Sequence, residues 1–149
     1  IYFEEIRNIY NFLSKNNLNT SKKLVDTKEH YRWYSKIKKK ELENILIAVE
    51  KKKLLGYVRT KKYYNNFIIS IAVKPKLTNK GIGTVLLKKV IEKSNSNSAK
   101  FIAIIKKENA KSIKFFYKNS FVKYETDLKF FKSNIFKNNV ILILKQKYF

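Results

Sequence analysis

Two glycines separated by one residue mark the part of this chain best suited to bind phosphate. The chain has three glycines and one proline, and Gly81, Gly83 and Pro75 all lie within residues 67–87, FIISIAVKPKLTNKGIGTVLL. Glycine lets the backbone approach a ligand closely, and a turn that leads into a helix presents N–H groups together with the positive end of the helix dipole. Two glycines that only shape a tight turn would give the same spacing, so the spacing alone leaves both interpretations open.

His30 and Trp33, the only histidine and the only tryptophan, form a second candidate group. Tyr34 and Ile37 continue the same helical spacing, which places these side chains on one face. His30 can be a half-buried histidine that donates to a backbone carbonyl. Alternatively, His30 and Trp33 line a pocket, where an aromatic floor beside a polar group suits a sugar ring or a base.

Helices and strands alternate along the chain and must position these residues. Helical periodicity predicts four helices. Two of them cover 3–13 and 84–93. Another begins at a capping box over 26–29, and the last is capped by Asn109 and carries Ile113, Phe116 and Tyr117. Short apolar runs predict strands at 45–50, 55–60, 67–73, 101–105, 121–125 and 140–145. Polar loops are expected at 16–23, 51–53, 61–66 and 94–98, and Gly56 belongs to a hairpin.

Composition excludes several function classes. The chain has no cysteine and one histidine, so we predict no disulfide and no metal site. No nucleophile motif supports a Ser-His-Asp triad, and the given sequence shows no signal-peptide pattern and no apolar run of membrane length; we expect a cytoplasmic protein without a membrane partner. A length of 149 residues predicts one domain over 1–149. The chain contains no methionine, so residue 1 is not a translation start. We expect either a truncated N-terminus or a piece of a larger protein.

The formal charge of +23 comes almost entirely from lysine, since only Arg7, Arg32 and Arg59 are arginines. The lysines are spread along the chain, and the joint abundance of Lys, Asn, Ile, Tyr and Phe is typical of an AT-rich genome. We therefore predict no specific nucleic-acid binding. The positive electrostatic field of the lysines attracts phosphorylated substrates.

Two motifs resemble those of the GCN5-related N-acetyltransferases (GNATs). Val73-Lys74-Pro75, then Thr78 to Gly83 and Leu86-Leu87, are similar to the family's cofactor loop, with Thr78 where Gln or Arg is usual. Asn109, Ser112, Phe116-Tyr117 and Phe121 are similar to the other wall of its cofactor cleft, with Ser120 where glycine is usual. The resemblance covers about Asp26 to Val122.

The resemblance implies an α/β (α+β) fold: a mixed, mostly antiparallel central sheet with splayed central strands, flanked by helices. It also implies acetyl transfer from acetyl-CoA to an amine, without a metal. The cofactor-binding residues it implies are Ile71, Ala72, Val73, Thr78, Asn79, Lys80, Gly81, Ile82, Gly83, Thr84, Asn109, Ser112 and Phe116. A main-chain N–H at the end of the 67–73 strand would polarise the thioester oxygen.

Tyr117 matches the family's tyrosine general acid, which protonates the departing thiolate. The sequence does not identify the general base, because the central strand reads Ile68-Ile69-Ser70-Ile71 where many relatives carry glutamate. A water chain, His30, Glu50 or Asp127 could take the ammonium proton. We rank His30 first because its ordinary pKa suits the task.

The arrangement of His30 and Trp33 is similar to that of GNATs that acetylate amino-sugar nucleotides. The expected acceptor is therefore a small-molecule amine, a sugar nucleotide of surface-polysaccharide synthesis, bound by His30 and Trp33. The alternatives are a protein or peptide amine, or a non-catalytic polyanion-binding module on the same scaffold. We expect a monomer or a homodimer.

Overall fold

A computed structural model of the protein describes residues 2–39, 43–94, 100–124 and 137–144. Their helices are α1 (Phe3–Lys15), α2 (Thr27–Lys39), α3 (Ile82–Lys93) and α4 (Ala110–Lys118), with a 3-10 turn at Pro75–Leu77. Their strands are β1 (Glu43–Glu50), β2 (Lys53–Tyr63), β3 (Asn66–Val73), β4 (Phe101–Lys106), β5 (Phe121–Lys123) and β6 (Asn139–Leu144).

The six strands form one mixed sheet in the order β1-β2-β3-β4-β6-β5. Every neighbouring pair is antiparallel except β3 and β4, which are parallel. β1 and β2 form a hairpin whose turn residues, Lys51 and Lys52, both have positive φ angles, as the tight turns of twisted hairpins require. The predicted mixed, mostly antiparallel sheet is confirmed.

The two central strands separate after a short region of pairing. Phe67–Ile69 of β3 pair with Phe101–Ala103 of β4. Beyond that point, β3 stays paired with β2 as far as Val73, and β4 stays paired with β6 as far as Lys106. Each strand therefore keeps its outer partner while the inner edges diverge, which confirms the predicted splay.

Side-chain alternation along β2 and β3 divides the core between the two faces of the sheet. On one face, Val58 and Ile69 pack in the main core with apolar residues of α3 and α4. On the other face, Tyr57 and Ala72 pack with Ile6 and its neighbours on α1. The sheet is thus flanked by helices on both faces.

The start of α2 confirms one of the two hydrogen bonds of the predicted capping box. The N–H of Glu29 donates to Asp26 Oδ1 at 2.7 Å, and this hydrogen bond lowers the pKa of the exposed Asp26 carboxyl. The Glu29 carboxylate accepts from Lys23 Nζ at 2.5 Å. Asp26 is therefore the N-cap, and Glu29 forms an ion pair.

The predicted helices and strands are present, with differences at their ends. β2 begins at Lys53 and runs to Tyr63, so the flanking turns are shorter than predicted, and α3 begins at Ile82. The predicted strand ends at Glu125 and Lys145 and most of the 94–98 loop lie outside the described residues.

Candidate active site

The gap between β3 and β4 contains backbone N–H groups that pair with no strand in the described part of the chain. Phe67 donates its N–H to the carbonyl of Lys100, beside β4, at 2.8 Å. N–H directions alternate along a strand, so Ile71 and Val73 also direct their N–H groups toward β4. Pairing with β4 ends at Ile69. These two N–H groups therefore point into the gap, where they can polarise a carbonyl oxygen.

The loop before α3 has the backbone of an anion cradle. Asn79 and Gly81 both adopt the left-handed conformation, with φ of 67° and 78°. None of the described side chains caps α3, and the N–H groups of residues 82–84 have no acceptor within the helix because they belong to its first turn. A Cβ added at Gly81 would meet nothing within 4 Å, so the space in front of the loop is open. These features fit the pyrophosphate of acetyl-CoA.

Gly83 allows the end of β3 and helix α4 to pack against the first turn of α3. A Cβ added there would lie 3.1 Å from Phe115 Cε2 and 3.8 Å from Val73 Cγ2. The structure therefore brings together the predicted cofactor residues of β3 and of the loop. It also places α4 beside them.

Thr78 and Lys80 lie on the exposed part of this loop. The hydroxyl of Thr78 donates to the carbonyl of Pro75 at 3.1 Å and so closes the 3-10 turn. Thr78 is thus engaged within the protein. The neighbouring Lys80 adds a positive charge to the rim.

Asn109, Ser112 and Phe116 form the start and the inner face of α4. Asn109 Oδ1 accepts from the N–H of Ser112 at 3.1 Å, which makes Asn109 the N-cap, as predicted. Its Nδ2 donates to the carbonyl of Leu18 at 3.0 Å. Phe116 is buried in the main core. These positions explain the residue types structurally, and direct contact with acetyl-CoA stays a prediction for all three.

Tyr117 directly follows the buried Phe116 on α4 and is only partly covered. Its side chain is 46% exposed, and it does not line the cavity described below. The phenol is therefore accessible from solvent on the helix that packs beside Gly83. Its role as general acid stays a prediction.

A cavity of about 430 Å³ lies between α1, residues 19–25, α2 and the sheet. His30 and Trp33 of α2 line it together with Tyr57 of β2. The cavity also reaches Ile71 and Ala72, on the half of β3 that borders the gap. A small molecule held here would therefore lie beside the place where β3 offers its unpaired N–H groups.

His30 is buried in this cavity wall and is 4% exposed. Its ring stacks on Trp33, with centroids 5.0 Å apart, and also contacts Phe3. Nδ1 is buried and has no hydrogen-bond partner among the described residues. Burial, and then the nearby Arg7 guanidinium, lower the pKa of His30, so the imidazole is neutral near pH 7 and can accept a proton.

Sequence reasoning missed two polar residues of the cavity wall, Tyr57 and Arg59. Arg59 places its guanidinium carbon 5.4 Å from the centroid of the Trp33 ring. The Trp33 ring thus contacts both His30 and Arg59, so it does not simply form an open aromatic surface of the cavity. Burial raises the pKa of Tyr57 to about 12, so its hydroxyl stays protonated. Only the alternation of β2 could have indicated that both residues share a face.

The other candidate bases lie elsewhere. Glu50 ends β1 and is exposed away from the cavity, and Asp127 lies outside the described residues. Within the described ranges, no three His, Cys, Asp or Glu side chains form a group that could hold a metal ion. No helix of the same ranges is long and apolar enough to cross a membrane.

Several solved structures share this fold. An N-acetyltransferase from Staphylococcus aureus Mu50 is 22% identical, with a TM-score of 0.78 over 98% of this chain and 93% of its own. A ribosomal-protein-alanine N-acetyltransferase from Brucella melitensis is 20% identical, with a TM-score of 0.77 over 95% and 92%. The Campylobacter jejuni N-acetyltransferase PseH, solved with acetyl coenzyme A, is 20% identical, with a TM-score of 0.67 over 97% and 92%. At these identities, the likeness shows the fold.

The sequence itself identifies the family. None of the curated protein sequences matches the chain significantly. The model of the acetyltransferase (GNAT) family matches residues 4–121, which include the cavity wall, the gap, the loop before α3 and all of α4. The chain therefore belongs to the acetyltransferase (GNAT) family.

Proposed function

We propose that this acetyl-CoA-dependent N-acetyltransferase acetylates the amino group of a nucleotide-linked amino sugar of surface-polysaccharide synthesis. The observation that carries the proposal is the cavity of about 430 Å³ that reaches Ile71 and Ala72. Its volume lies in the range of small-molecule sites. An acceptor bound there would present its amine at the gap where the acetyl group must lie.

The chain's backbone would hold the donor. The N–H groups of residues 79–84 would bind the pyrophosphate, and the pantetheine arm would enter the gap between β3 and β4. Bound acetyl-CoA supplies the activated acetyl group. The N–H groups of Ile71 and Val73 would then polarise the thioester carbonyl, because they point into the gap and have no strand partner there.

His30 would accept the proton of the acceptor ammonium group. It lines the cavity, its Nδ1 has no hydrogen-bond partner among the described residues, and its imidazole is neutral near pH 7. Tyr117 would protonate the departing thiolate of coenzyme A. A phenol can donate that proton and regain it from solvent, to which Tyr117 is open.

The character of the cavity favours a sugar nucleotide over a peptide. A cationic peptide needs acidic residues, and the whole chain has 11 acids against 34 lysines and arginines. Glu29, which lines the cavity, is paired with Lys23. Family membership favours an enzyme over a non-catalytic polyanion-binding module.

The test is thiol release from acetyl-CoA with a panel of UDP-linked amino sugars and, in parallel, peptides with free N-termini or lysines. A calorimetric titration with acetyl-CoA comes first and should show saturable binding. We expect acetylation of at least one sugar nucleotide and identify the product by mass spectrometry. Acetylation of peptides, with every sugar nucleotide inert, would overturn the proposal.

A further inference from the structure

Arg59 is a cation in the cavity wall that has no acidic partner among the residues that the structure describes. Two other cations near the cavity are paired. Lys23 lies 2.5 Å from Glu29, and Arg7 lies 2.6 Å from Glu4. Arg59 Nε is buried and has no hydrogen-bond partner in the described part of the chain. Among the described residues, Arg59 Nε therefore has no acceptor, whereas Lys23 and Arg7 each contact a carboxylate.

Two contacts hold Arg59 in position, although it has no ion pair with any described residue. Its Cα pairs with that of Ser70 across the β2–β3 ladder, and its guanidinium lies over the Trp33 ring at 5.4 Å. Trp33 in turn stacks on His30. An arginine that is held by an aromatic ring has less freedom to lose when it binds a ligand.

Burial without a partner is unfavourable for a charged donor unless a ligand completes its hydrogen bonds. The planar fork of a guanidinium matches the paired oxygens of a phosphate or a carboxylate. A neutral hydroxyl or carbonyl oxygen could accept a hydrogen bond from this donor, but it would not offset the charge of the guanidinium. An acceptor with an oxyanion would satisfy it.

The sheet register places this charge close to the reaction. Arg59 pairs with Ser70 and Tyr57 pairs with Ala72, so all four side chains share the face that the cavity covers. Two residues along β3 correspond to about 7 Å. Along the strand, the Arg59–Ser70 pair thus lies about one sugar ring from Ala72, near the end of β3 that borders the gap.

We propose that Arg59 binds an oxyanion of the acceptor, the sugar-linked phosphate if the acceptor is a sugar nucleotide. The identity of the oxyanion as a sugar-linked phosphate rests on the proposed function. The binding of an oxyanion by Arg59 rests on the cavity alone. Arg59 is then a specificity-determining residue that selects amines bearing a phosphate. Trp33 positions it.

The test compares Arg59→Gln and Arg59→Lys with a matched control, Arg32→Gln. Arg32 is an exposed arginine of α2 that does not line the cavity. Each protein is saturated with coenzyme A, so that the pyrophosphate loop is filled, and is then titrated with UDP in a calorimeter. For Arg59→Gln we expect binding weakened by about 10- to 100-fold, as for the loss of a hydrogen-bonded charge. Arg59→Lys should recover part of the loss, and Arg32→Gln should match the wild type.

Kinetics separate this inference from the proposed function. For an accepted sugar nucleotide, Arg59→Gln should raise KM by the same factor. The same substitution should also reduce the preference for the sugar nucleotide over the phosphate-free amino sugar. If sugar nucleotides are acetylated with an unchanged KM, the inference fails and the proposed function stands. If UDP binding depends on Arg59 but no sugar nucleotide is acetylated, the proposed function fails and the oxyanion site stands. Equal UDP binding by folded Arg59→Gln and wild type would overturn the inference.

Discussion

Replacing Gly56 with alanine should destabilise the protein more than the same change at either of the other glycines. A Cβ at Gly56 would lie 2.6 Å from the carbonyl oxygen of Ala72 and 3.0 Å from Val73 Cα. Both are backbone atoms of the paired strand β3, so neither can rotate away. At Gly83 the nearest atom belongs to the Phe115 ring, which can shift.

The structure also sets the size of the effect. Overpacking against movable side chains costs about 1–3 kcal/mol, and contact with backbone should place Gly56→Ala at the top of that range, about 3 kcal/mol. Gly81→Ala meets no atom but keeps an alanine at φ 78°, which costs about 1–2 kcal/mol. For a chain of this size, 3 kcal/mol corresponds to a Tm lowered by about 6–12 °C.

Urea unfolding followed by circular dichroism measures these differences. Lys62→Ala, an exposed position of the same strand β2, is the control and should change the free energy of unfolding by less than about 0.5 kcal/mol. Gly56→Ala should also weaken acetyl-CoA binding, because Val73 would be displaced. A Gly56→Ala protein no less stable than Gly83→Ala would refute the reasoning, since the β2–β3 contact would then be looser than the distances require.

Three further predictions concern other parts of the site. Tyr117→Phe should lower kcat by at least about 100-fold with the acetyl-CoA Kd unchanged; near-normal turnover would end its assignment as general acid. Asn109→Ala should lower the free energy of unfolding by about 2 kcal/mol, because it loses a helix cap and the bond to Leu18. Asn109→Ser, which keeps a cap, should lose about half of that, and equal losses would contradict the account. Because the pKa of folded His30 lies below its ordinary value of 6.5, unfolded His30 binds a proton first as the pH falls, and the protein loses stability below about pH 6.5. His30→Gln should lose less stability between about pH 7.5 and 5.5, and parallel curves would show that His30 does not contribute.

The backbone of the loop and helix starts proposed to bind the donor could be predicted from the sequence, because local residue types determine it. A left-handed turn and a helix start require particular residues, and Gly81 at φ 78° shows why glycine stands there. The cap at Asn109 has a similarly local cause. Local chemistry of this kind leaves a pattern in the sequence.

The roles of Gly56 and Arg59 depend on register, which no local pattern reveals. Gly56 is consistent with a hairpin glycine, yet it is the residue that lies closest to the backbone of the next strand. Arg59 is followed by Thr60, Lys61 and Lys62, so it resembles any charged residue on a solvated strand. Its contact with Trp33 arises only when α2 covers that face of the sheet.

This division between backbone and side chains has a consequence for how the acceptor is chosen. In the proposed mechanism the donor is held by N–H groups that every residue except proline provides, so we expect its binding to tolerate substitutions such as Thr78 in the loop. The acceptor cavity is lined by side chains of α2 and β2, and its one cation without an acidic partner among the described residues is Arg59. We therefore expect a change at that single position to alter which amine is accepted, while the gap and the loop before α3 keep their geometry. Substrate preference should therefore follow Arg59 and Trp33 rather than the motifs that identify the family.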